Sequence, residues 1–66
     1  MSIIGDKLRT ERIEAGKTQD EIARYLHVTR QTISSWENGR TEPNYNMLRL
    51  LAEAIGVEVG KFFEMK

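Results

Sequence analysis

The chain has 66 residues, and ten basic side chains (Lys and Arg) balance ten acidic ones, for zero formal net charge. That length holds one domain near the lower limit for folding without staples, and the absence of cysteine excludes a disulfide framework or a thiolate metal site. No apolar run approaches a membrane span, and the start Met-Ser-Ile-Ile-Gly-Asp lacks the basic-then-apolar plan of a secretory leader, so a soluble, cytoplasmic protein without membrane contact is expected.

In chain order, Ile4, Leu8 and Ile13 recur at near-helical spacing and predict a first helix over roughly residues 2–15, closed by Gly16 as a left-handed cap. Thr18 and Glu21 form the Thr-x-x-Glu capping box of a second helix, whose inner face is Ile22, Ala23 and Leu26. His27-Val28 is a turn, and Thr29 caps a third helix that stops at Asn38-Gly39. After the loop Thr41-Glu-Pro-Asn44, Asn44 caps a fourth helix carrying Met47, Leu48, Leu50, Leu51, Ala54 and Ile55, ended by Gly56. Val59, Phe62 and Phe63 predict a final helical turn or two. There is no strand signal, repeat or low-complexity tract. The expected architecture is all-α, a compact five-helix bundle forming one domain over residues 1–66.

The third helix carries an unusual polar face. At about 100° per residue, Arg30, Ser34, Gln31 and Ser35 share an arc of roughly 140°, with Ile33 and Trp36 opposite and Thr32 and Glu37 at the boundaries. Gln bonds an adenine edge bidentately, Arg does the same to guanine, and Ser suits either base. An ordinary amphipathic surface helix would also be polar outside, so the face alone leaves both readings open. Net charge adds no support for nucleic acid. Affinity would come from local placement of Lys17, Arg30 and Arg40 with backbone donors, not from a general positive field.

Two short helices joined by a tight turn, the second polar outside, form a helix-turn-helix over about residues 19–38. The pattern Gln19-x-x-x-Ala23-x-x-x-x-Val28-x-x-x-x-Ile33-x-x-Trp36-Glu37-Asn38-Gly39-Arg40 resembles that of the lambda-repressor-like, Cro-and-repressor type DNA-binding family. The Leu8-Arg9-x-x-Arg12 opening and the closing Leu51-Ala-x-Ala-Ile-Gly-Val57 fit as well, so the likeness covers nearly the whole chain. It implies a third helix lying in the major groove of double-stranded DNA. Gln19 then matches a position that bonds a phosphate and buttresses the third helix, and Thr18 caps and also touches phosphate. Arg30, Gln31 and Ser35 match base-contacting positions, with Ser34 on the same face. Thr29, Thr32, Asn38 and Arg40 match positions nearer the DNA backbone. Arg12 and Glu37 resemble an ion pair tying helix 1 to the end of helix 3. His27 departs from the family, which often carries Gly at that turn.

Trp36, opposite Arg30 and Gln31, belongs to the core rather than to a base-stacking platform. The only histidine, with no cysteine beside it, gives no metal site, and no cofactor or enzymatic constellation is expected. The Phe62-Phe63-Met65 tail holds more apolar surface than one turn can bury inward. Val57, Val59, Phe62 or Phe63 is therefore expected to line a homodimer interface. One recognition helix reads too few base pairs to be selective, which points to a dimeric regulator, a repressor on a near-palindromic operator. The rival reading is a protein-interaction module, such as the antitoxin of a toxin–antitoxin pair.

Overall fold

The computed structural model describes residues 3–63 and contains four α-helices, α1 (Ile3–Glu14), α2 (Gln19–Leu26), α3 (Arg30–Glu37) and α4 (Tyr45–Ile55), followed by a 3-10 turn at Val59–Phe63. Met65 lies outside the described residues. The fifth element is therefore not an α-helix. Five residues with Gly60 in their midst cannot sustain the longer-range ladder, and the i→i+3 bond from Lys61 N to Glu58 O (2.9 Å) closes a tighter turn instead. No helix among the described residues is long and apolar enough to cross a membrane.

The helix ends follow from named side chains. Thr18 Oγ1 accepts from Glu21 N at 3.0 Å while Thr18 N donates to Glu21 Oε1 at 2.8 Å, a reciprocal capping box. The donated backbone N–H holds the Glu21 carboxyl below the usual carboxylate range. Thr29 Oγ1 and Asn44 Oδ1 cap α3 and α4 by accepting from Thr32 N and Met47 N, at 3.2 and 2.8 Å. At the other ends the chain turns left-handed, and the turn at His27 is the informative one. Its φ is 60°, and His27 N and Val28 N bond back to Arg24 O and Ala23 O at 3.2 and 3.0 Å. His27 thus adopts a backbone conformation that costs a side-chain-bearing residue about 1–2 kcal/mol. The departure from Gly is tolerated, not free.

The core is built from one stripe of each helix: Leu8 of α1, Ile22, Ala23 and Leu26 of α2, Ile33 and Trp36 of α3, and Leu48, Leu51, Ala52 and Ile55 of α4, with Phe62 from the closing turn. Trp36 is 7 % exposed, a core residue. Ile13 is not in this core; it is 54 % exposed. Five residues after Leu8 it sits about 140° around the helix, while Glu11 and Arg12, at three and four, face inward. Across the outside, Tyr25 OH donates to Glu53 Oε1 at 3.2 Å, linking α2 to α4, and the carboxylate beside it raises the pKa of the phenol.

One contact fixes how α1 meets α3. A Cβ at Gly5 would lie 2.5 Å from the Trp36 carbonyl oxygen and 2.8 Å from that of Glu37. Gly inside a helix costs about 0.5–1 kcal/mol relative to Ala, and here the close approach of two backbones explains its presence.

Candidate nucleic-acid interface

α3 presents two unlike faces, and the buried one ends in a charged cluster. Glu37 is 7 % exposed although it is an acid. Its Oε2 accepts from Arg12 Nε at 2.6 Å, and its Oε1 accepts from Arg12 Nη2 and from Gln19 Nε2, both at 3.1 Å. Arg12 Nη1 donates to the Lys17 carbonyl at 2.9 Å. One carboxylate therefore gathers α1, the start of α2 and the end of α3. Bidentate Arg–carboxylate geometry gives such a junction direction as well as strength. Burial of the acid is tolerable because every partner is in place.

The outward face of α3 exposes Arg30 and Gln31, with Ser34, Ser35 and Thr32 half-buried and Thr29, Asn38 and Arg40 exposed at its ends. Gln31, Ser34, Ser35, Asn38 and Arg40 line one shallow depression. A second lies beside it at the start of α2, lined by Arg12, Lys17, Thr18, Gln19, Asp20 and Arg30. Several of these groups are already oriented. Ser35 Oγ and Thr41 Oγ1 share a hydrogen bond of 2.9 Å, Asn38 Nδ2 donates to Ser34 Oγ at 3.4 Å, and Thr29 and Thr32 hydroxyls lie 3.0 Å apart. Arg30 Nε stands 3.9 Å from Asp20 Oδ1. Gln31 and Arg40 side chains have no partner among the described residues.

Sequence reasoning missed Thr41 and Asp20. Thr41 follows Ser35 around a turn, and Asp20 meets Arg30 from another helix, so neither pair has a periodicity that would reveal it. Gln19 sits where its amide nitrogen supports Glu37, leaving its oxygen and one N–H uncommitted. In the tail, Phe62 is fully buried and Phe63 is 49 % exposed. Phe62 is thus taken out of the surface set by the hydrophobic core, while Val57 and Val59 remain half-buried at its margin.

The family model described as helix-turn-helix matches residues 8–62. The chain belongs to the helix-turn-helix family, of the lambda-repressor-like type. It is 43 % identical over 51 residues to an uncharacterized HTH-type transcriptional regulator of Methanothermobacter thermautotrophicus, a match that covers 77 % of this chain and 74 % of that one. A second HTH-type regulator, from Methanocaldococcus jannaschii, is 33 % identical over 58 residues, 88 % of each chain. The HTH-type transcriptional activator BcrR of Enterococcus faecalis is 33 % identical over 54 residues, which are 82 % of this chain but 26 % of BcrR.

Proposed function

We propose that this DNA-binding transcription regulator is a sequence-specific repressor that binds a near-palindromic operator as a homodimer, with α3 of each protomer in the major groove. The observation that carries the reading is the contrast between the faces of α3. The inner face is locked by the core and the Arg12–Glu37–Gln19 junction, while the outer one offers Arg30, Gln31, Ser34 and Ser35. Gln31, unengaged at the centre of that face, is the principal base reader, and Arg30 and Ser35 flank it. Thr18, Gln19, Thr29, Thr32, Asn38 and Arg40 face the phosphates, where contacts set position without reading sequence. Repression is steric: a dimer seated at a promoter excludes polymerase.

Selection of bound fragments from randomised duplex DNA tests the proposal, and enrichment of an inverted repeat is the expected result. On the operator so obtained, Gln31→Ala and Arg30→Ala each cost about 1–3 kcal/mol of specific affinity with the fold intact. Binding to random duplex falls less for Gln31→Ala, which removes no charge. Wild-type affinity and base preference in Gln31→Ala would refute its assignment as a reader.

The dimer we propose forms through Phe63 with Val57 and Val59, setting two α3 helices about 34 Å apart, one turn of DNA. Phe63→Glu is expected to give a folded monomer in sedimentation that binds half-sites weakly and without cooperativity. A wild-type chain that sediments as a monomer with and without operator would refute the pairing.

A further inference from the structure

We infer that Thr41, in the loop after α3, is a positioning residue that aims the Ser35 hydroxyl at one base pair and narrows its preference there. This rests on the proposal that the outer face of α3 reads DNA and adds a residue outside that helix.

Ser35, half-buried on the outer face of α3, is held from the loop at two of its atoms. The chain reverses at Gly39, whose φ of 78° is left-handed. Gly39 N and Arg40 N then donate to Trp36 O and Ser35 O at 3.3 and 3.0 Å. These two bonds close the helix end and lay the loop back along the last turn of α3. Thr41 follows directly, and its Oγ1 lies 2.9 Å from Ser35 Oγ. On its other side Pro43 is buried and Asn44 caps α4, so the loop is anchored both before and after Thr41. A β-branched side chain on an anchored backbone has few rotamers to choose from. The oxygen beside Ser35 is therefore fixed by the fold, although Thr41 is exposed.

A serine with no such partner samples three staggered rotamers. Its hydroxyl donates or accepts as required, so it follows whichever base group is present and tolerates several bases. Late in a helix it also turns back to the carbonyl four residues earlier, here that of Gln31, and is then lost to DNA. The bond to Thr41 competes with both. Whichever oxygen donates, Ser35 Oγ is kept in one rotamer, at one point relative to the axis of α3. Only a base whose complementary group falls at that point is bonded without breaking the pair. The effect is confined to the base pair beneath Ser35, and mismatches elsewhere in the operator are penalised as before. It therefore does not cancel between right and wrong sequences.

The test compares Thr41→Val, which removes the hydroxyl and keeps the branched shape, with Thr41→Ser, which keeps the hydroxyl. Circular dichroism melts show that both fold. In the free chain, NMR couplings are expected to report one Ser35 rotamer in the wild type and averaged rotamers in Thr41→Val. Affinities are then measured for the operator enriched from the random library, its single-base-pair variants and a scrambled duplex. Thr41→Val is expected to lower discrimination at one position of each half-site by about threefold or more, with the other positions unchanged. Scrambled-duplex affinity and salt slope keep their wild-type values, because no phosphate contact is lost. Thr41→Ser retains the wild-type preference, and in a Ser35→Ala background Thr41→Val has no further effect. Averaged Ser35 couplings in the wild type overturn the inference, and so does unchanged discrimination in Thr41→Val. A uniform loss over all duplexes also overturns it, since Thr41 would then be a phosphate contact. In each of these cases operator enrichment by the wild type and the effect of Gln31→Ala remain, and the DNA-reading proposal stands. A wild-type chain that enriches no operator refutes both.

Discussion

Arg12→Ala or Glu37→Ala is expected to destabilise the chain by about 3–5 kcal/mol, because each leaves the other's charge in place with its main partner gone. A domain of 66 residues has roughly 3–10 kcal/mol in total, so either loss is a large fraction of the whole. The geometry says why the effect exceeds that of a surface pair. The side chains of Arg12 and Glu37 are 12 and 3 % exposed, and water cannot take over the lost bonds without opening the junction. Replacing both together, Arg12→Met with Glu37→Leu, removes both charges and should cost far less than the sum. Denaturant melts of the two single variants and the double variant close the cycle. Small, additive losses would mean that the pair contributes no more than two separate surface charges. Gln19→Ala removes the third partner and is expected to fall well short of either ionic variant, since it deletes one hydrogen bond of about 1.5–3 kcal/mol to a charged acceptor.

Phe62→Ala is the second large effect, at about 3–5 kcal/mol, the cost of removing a buried aromatic ring and leaving a cavity. Phe62 is among the largest fully buried side chains and carries the closing turn onto α1 and α4. Phe63→Ala, measured at concentrations where the chain is a monomer, is expected to change stability by less than about 0.5 kcal/mol, as surface replacements do. The two adjacent phenylalanines thus separate folding from assembly. Equal effects from both would show that the tail does not sit as described.

Local rules made most of the fold legible. Thr18, Thr29 and Asn44 are caps whose chemistry operates within three residues, and the inner faces of α2 and α3 repeat at the helical period. Ile13 lies within α1 as the pattern predicts, but a gap of five from Leu8 turns it to the outside. The buried face of α1 instead ends in Glu11 and Arg12, and an acid and a base turned inward have no hydrophobic signature. The last turn differs from the predicted helix because periodicity over five residues does not distinguish a 3-10 turn from the end of an α-helix. Within the candidate site, the polar face of α3 is legible on a helical wheel, whereas the pairing of Arg12 with Glu37 is legible only in the likeness to a known family. The links from Ser35 to Thr41 and from Asp20 to Arg30 join different elements, so they exist only once the chain has folded.

Gly5 bears on how precisely α3 can be positioned. Contacts between side chains yield by rotamer changes, whereas main chains in contact yield only by moving a whole helix. α1 therefore acts as a stop against the last turn of α3 and fixes how closely the two main chains meet there. Residues on the outer face of α3 can then be exchanged without changing that contact. What the domain recognises and how its helices meet become separately adjustable properties.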